Sequence, residues 1–166
     1  ESGASGMLIL ALTTGIMAVG RFFAGPVVKT LGQTGVLLGG AIFATIGIYM
    51  FSTVTGPMAY LAAVVFAIGV CYFWPVMVGA VAQRVPLSGA LGMSIIGGVG
   101  MFSTAIFQPI IGKWIDTARA IHDTDLLAGQ ATLLKMVMFP AILIVLFTFF
   151  FIWHKNSKVA ASDAAH

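Results

Sequence analysis

Few residues of this 166-residue chain have side chains that could do chemistry. His122, Asp123 and Asp125 share one polar stretch and are metal-ligand types, but three such residues in a polar loop are far more often solvated than ligating. Cys71 is the one cysteine and lies in an apolar run, so thiols can build neither a disulfide framework nor a metal site, and it reads as a small packing residue. Arg21 also lies in an apolar run. A cation there costs on the order of 3 kcal/mol even on insertion scales, so Arg21 either faces the interior of a helix bundle or snorkels to the surface. Groups of the kind that form catalytic constellations do not converge, and the expectation is a protein that is not an enzyme and uses no cofactor or metal.

The remaining candidates are suited to holding a solute. Pro75 follows Cys71-Tyr72-Phe73-Trp74; its missing N–H and its ring free the carbonyl of Cys71 and predict a helix kink beside three aromatics. Tyr72 and Trp74 each pair a ring with a hydrogen-bonding group, which makes them candidate substrate contacts against the alternative of ordinary packing. At 3.6 residues per turn Tyr72, Pro75, Gly79 and Gln83 share a face, and so do Gly97, Met101, Thr104 and Gln108. Thr104 and Gln108 complete the candidate substrate-binding set. An amide in hydrocarbon needs partners, supplied either by a neighbouring helix or by a polar solute.

The elements that must carry these residues follow from composition. The chain is 60% hydrophobic and 8% charged, with a mean hydropathy of +1.07, whereas soluble domains are about a quarter charged. With water excluded, backbone groups must be paired within the chain, and the apolar runs are too unbroken for barrel strands, so helices remain. About five stretches approach the roughly 20 residues that cross a bilayer: 7–28, 35–54, 58–82, 87–111 and 133–153. Short polar joints at 29–34, 55–57 and 83–86 make neighbours antiparallel. The polar segment 113–130 is expected to leave the hydrocarbon, partly helical at an interface. Gly35 with Gly39, Ser94 with Gly98, and the crowd Gly89, Gly92, Gly97 and Gly100 predict close helix contacts, either static or sliding.

No stretch contains Asp or Glu, so a carboxylate proton relay cannot lie in them. The net charge of +3 comes from scattered bases without a stripe, which argues against nucleic acid as a partner. Basic flanks place Arg21, Lys29, Arg84, Lys155 and Lys158 on the cytoplasmic side, with the N-terminus of the chain outside and its C-terminus inside. Glu1 to Gly6 carry no basic leader region, and the chain reads as starting in the middle of a longer protein. Residues 1–158 form the expected transmembrane unit, and 159–166 an expected disordered cytoplasmic tail.

The stretch Gly20-Arg21-Phe22-Phe23-Ala24-Gly25, continuing through Lys29 to Gly32, resembles the second copy of the loop signature of the major facilitator superfamily. Gly25 and Gly32 match its glycines, while Lys29 stands where that signature has an acid. Phe73-Trp74-Pro75, Gln83-Arg84-Val85-Pro86, residues 89–98 and residues 108–116 are similar to bacterial sugar-permease-like members. The resemblance implies an all-α membrane protein with a partial fold, helices eight to twelve of twelve. It implies a secondary carrier in the bacterial inner membrane that moves a small polar solute, a sugar or an organic acid, by alternating access. The expected partners are the lipid bilayer, the N-terminal half of the carrier, the solute and, where transport is coupled, an ion. Gly20, Arg21, Gly25, Lys29 and Gly32 would then be gating or loop residues. A non-transporting membrane scaffold or assembly subunit is the alternative.

Overall fold

A computed structural model describes residues 3–85, 87 and 89–163, with side chains described for 6–83, 85, 87 and 89–153. Among the described residues there is no strand. The helices are α1 (Gly3–Phe22), α2 (Ala24–Thr53), α3 (Met58–Cys71), α4 (Phe73–Arg84), α5 (Gly89–Ile121), α6 (Asp125–Met136) and α7 (Met138–Asp163).

Three interruptions have one cause. Phe23, Tyr72 and Val137 separate α1 from α2, α3 from α4 and α6 from α7, and each stands three residues before a proline, Pro26, Pro75 or Pro140. A proline lacks the N–H that would bond the carbonyl four residues back, and its ring pushes that carbonyl away. The released carbonyls belong to Phe22, Cys71 and Met136. Regular bonding resumes one residue after each proline, where Val27, Val76 and Ala141 donate to the carbonyls of Phe23, Tyr72 and Val137 at 3.2, 3.0 and 3.2 Å. Pro109 lies inside α5 without ending it, as bundle helices in lipid tolerate.

Gly32 makes a different break. Its φ of 70° and ψ of 162° lie in a region that side chains with a Cβ avoid, and it divides α2 into residues 24–31 and 33–53. The first piece continues the path of α1. A Cβ on Gly20 would touch Cys71 and Tyr72, and Gln33 bonds Gln83. Numbers rise together along both segments, so residues 3–31 run parallel to residues 58–84, and 33–53 return between them in the opposite sense.

Four helical stretches are long and apolar enough to cross a membrane: Ala24–Thr53, Met58–Gln83, Gly89–Ile121 and Asp125–Trp153. The chain is an all-α, multi-pass membrane protein by this measure. Of the five expected spans, the described part of the first, Gly6–Phe22, is by itself a shorter apolar helix, and residues 24–31 follow it before the chain reverses at Gly32. The expected joint 29–34 is helical except at Gly32, which carries the whole reversal. The polar segment 113–130 is more regular than expected, since α5 runs to Ile121 and α6 starts at Asp125, leaving only residues 122–124 outside helices. At about 1.5 Å per residue a 33-residue helix is about 50 Å long, so its polar end clears a hydrocarbon core of about 30 Å while still helical. The backbone of α7 stays helical to Asp163, five residues into the expected tail 159–166, and residues 164–166 lie outside the described ones.

The core is built from the smallest side chains. Among the described residues the buried hydrophobic side chains are alanines apart from Val36, Cys71 and Val76. Apart from Val76, Ala118 and Ala128, they belong to α2 and α3, whose backbones touch: a Cβ on Gly40 would sit 2.7 Å from the carbonyl oxygen of Gly69, and one on Gly47 would sit 2.6 Å from the backbone of Phe66. The expected contact pairs are elsewhere, for Gly39, Gly97 and Gly98 face open space, while Gly92 is buried. α1 packs chiefly on α3 and scarcely on α2; α6 and α7 lie along α2, and α5 is held by α6 and α4.

This arrangement puts the Lys29 and Arg84 ends of their helices together and the 122–124 turn at the far end. With Cys71, only 2% exposed, replaced by alanine, Lys29→Cys and Arg84→Cys are expected to react with a membrane-impermeant maleimide from one face of sealed vesicles. Asp123→Cys should react from the other; labelling of Lys29→Cys and Arg84→Cys from opposite faces would refute the fold.

Candidate functional site

The break at Tyr72 is the centre of the candidate site. Tyr72 (φ −95°, ψ −11°) closes α3 and opens α4, and Gly20 of α1 is seated on it. A Cβ at Gly20 would lie 2.7 Å from Cys71 Sγ and 3.9 Å from the Tyr72 hydroxyl oxygen. The glycine therefore lets α1 approach the one point where the α3–α4 span has lost a helical hydrogen bond. Arg21, the next residue, is exposed and makes no ion pair among the described residues, whose one salt bridge joins Arg119 Nε to Asp125 Oδ1 at 2.9 Å.

Trp74 points away from this contact. It is 46% exposed, and its Cζ3 lies 3.8 Å from where Gly100 of α5 would carry a Cβ. Thr104, one turn further along, donates its hydroxyl to the Gly100 carbonyl at 3.0 Å, which satisfies it within its own helix. Gln108, another turn on, is exposed and has no hydrogen-bond partner among the described residues. Trp74 of α4 thus lies near Gly100, one turn before Thr104 on α5, while Tyr72 is on the α1 side of its helix and Gln108 is two turns beyond Gly100.

A second feature joins residues that the sequence kept separate. A groove of about 280 Å³ lies between residues 24–33 and α4, lined by Ala24, Gly25, Val28 and Lys29 on one wall and Pro75, Val76, Gly79 and Gln83 on the other, with Gln33 at its end. Pro75, Gly79 and Gln83 come from the face derived from helical spacing, and Tyr72 does not reach the groove. Gly25 and Lys29 of the loop stretch line it, and Gly32 makes the turn just beyond. At the end of the groove Gln33 Nε2 donates to Gln83 Oε1 at 2.9 Å. At the other end of the bundle Gln130 Nε2 donates to the Val54 carbonyl at 3.3 Å, tying α6 to the turn between α2 and α3.

The Gln33–Gln83 pair is a residue couple that sequence reasoning missed. Gln83 was legible on its helix face, but nothing local pairs it with a residue fifty positions away. Interhelical polar bonds in membrane bundles average about 0.6 kcal/mol. Gln33→Leu and Gln83→Leu are each expected to lower thermal stability slightly, with a coupling of about that size in a double-mutant cycle read by melting in detergent. Strict additivity would mean that the two amides do not interact.

Among the described residues no three His, Cys, Asp or Glu groups are close enough to hold a metal ion, and Asp125 is engaged by Arg119. What the site offers is hydrogen-bonding amides and hydroxyls, two aromatic faces and a cation, a set suited to non-covalent binding. Compared with known proteins, the chain matches no family model, no curated protein and no solved structure.

Proposed function

We propose that this chain is the C-terminal part of a secondary carrier of the major facilitator kind, moving a small polar solute across a bacterial inner membrane by alternating access. In this reading it corresponds to helices eight to twelve of twelve, with its N-terminus outside and its C-terminus cytoplasmic, and it works with an N-terminal half. The observation that carries the reading is the break at Tyr72, where a spanning helix is interrupted, receives Gly20 from α1 and brings Trp74 near Gly100 of α5. Interrupted helices with aromatic and polar neighbours are the elements from which carriers build solute sites. The resemblance of residues 20–32 to the family's loop signature supports the same reading.

A direct test is solute flux. Reconstituted in vesicles with its N-terminal half, the carrier should take up a sugar or an organic acid. Trp74→Ala and Tyr72→Phe should each reduce uptake about tenfold, a loss of about 1.4 kcal/mol of solute contact, without lowering the melting temperature by more than a few degrees. Absence of flux for any sugar, organic acid or drug would count against the proposal.

The scaffold reading is favoured by one specific feature, the backbone-to-backbone seam between α2 and α3, which is a rigid contact. A scaffold has no use for Arg21 or for a bent aromatic helix. Arg21→Leu should leave assembly of a scaffold intact but impair a carrier.

A further inference from the structure

The groove between residues 24–33 and α4 is not absorbed by the solute reading, because neither Tyr72 nor Trp74 reaches it. Its walls are apolar or backbone: Ala24, Gly25 and Val28 on one side, Pro75, Val76 and Gly79 on the other. Its polar groups collect at one end, where Gln33 and Gln83 join the two segments and Lys29 stands exposed nearby. We infer that this groove binds the anionic phospholipid of the adjoining leaflet, with one acyl chain along its apolar floor and the headgroup phosphate at Lys29 and the two glutamine amides.

Size, polarity and charge each favour this occupant. From Pro75 to Gln83 α4 rises about 12 Å, close to the roughly 15 Å of hydrocarbon in one leaflet. A groove of about 280 Å³ is below the roughly 300–1,000 Å³ of sites that enclose small solutes, and it is open along its length, so a chain can lie in it but a sugar would not be enclosed. The Gln33–Gln83 bond uses one amide hydrogen and one carbonyl oxygen, which leaves the Gln83 N–H pair free to donate to phosphate oxygens. Lys29 has no ion-pair partner among the described residues. No Asp or Glu occurs between residues 2 and 115, so no carboxylate on either wall competes for the cation. An anionic headgroup is what a cation held at the membrane surface attracts.

Thermal melting of the full purified chain in detergent, with added lipid, tests the assignment. Phosphatidylglycerol should raise the melting temperature in a saturable way, phosphatidylcholine at the same concentration should raise it much less, and inorganic phosphate should leave it unchanged. Lys29→Gln should weaken the phosphatidylglycerol response about fivefold, bringing it to the phosphatidylcholine level. Gly79→Leu should remove the response to both lipids by filling the groove, and it should keep the lipid-free melting temperature, since a Cβ at Gly79 meets nothing within 4 Å. Equal responses to the two lipids, a response to phosphate alone, or an unchanged response in either variant would overturn the inference. None of these readouts depends on transport, so they stand or fall apart from the carrier proposal.

Discussion

Gly69→Val is expected to prevent α2 and α3 from packing and to leave little folded protein in detergent. A Cβ on Gly69 would fall on the backbone nitrogen of Ala44, 2.8 Å from the Ala44 Cα and 2.9 Å from the Gly40 carbonyl oxygen. Every one of these obstacles is backbone in the facing helix, so no rotamer change can clear them. The helices would have to separate, and separation strips contact from Ala41, Ala44, Ala62, Ala63 and Ala67 together, all at most 2% exposed. Association in lipid depends on such close packing rather than on water exclusion, so the cost should exceed the usual 1–3 kcal/mol of overpacking in a core. Size-exclusion profiles and melting curves in detergent would read it. Gly39→Val and Gly98→Val are the matched controls, because a Cβ there meets nothing within 4 Å, and they should behave nearly as the parent. A Gly69→Val protein that melts within a few degrees of the parent would exclude the seam.

The second large effect is expected at Gly20, and here the obstacle is a side chain that can be removed. Gly20→Ala places a methyl group 2.7 Å from Cys71 Sγ, and Cys71 is 2% exposed, so its sulfur must shift within a packed surrounding. The substitution should destabilise by about 1–3 kcal/mol. Cys71→Ala deletes the sulfur, so Gly20→Ala with Cys71→Ala should regain most of that loss, giving a coupling of about 1 kcal/mol or more. Thermal melting of the parent, both single variants and the double variant completes the cycle. Purely additive losses would show that α1 does not rest on the Tyr72 break.

Membrane class and the all-helical fold came from composition and apolar run length, since both follow from the need to pair backbone groups where no water reaches. The kink at Pro75 was readable because proline chemistry is local. The same rule applies at Pro26 and Pro140, but without the coordinates their breaks at Phe23 and Val137 were absorbed into continuous apolar runs. Packing partners were less legible. Gly35, Gly39 and Ser94 have the right spacing for close approach, yet the contacts are made by Gly40, Gly47 and Gly69, because spacing says which residues share a face and not which face meets a neighbour. The candidate site was readable as residue types: Tyr72, Trp74, Thr104 and Gln108 were identified singly. Their distribution over two sides of α4 and along α5, and the meeting of Lys29 with Pro75 in one groove, depend on a tertiary arrangement that no local pattern encodes.

The preference of α1 for α3 over α2 bears on how the protein is made. As the chain leaves the ribosome and enters the bilayer, α1 and α2 emerge as two greasy rods with almost nothing to say to each other. Their common mate, residues 58–84, is synthesised last of the three. Until Arg84 has been added these three segments have no settled packing, so a ribosome stalled before that point should leave them open to quality-control proteases.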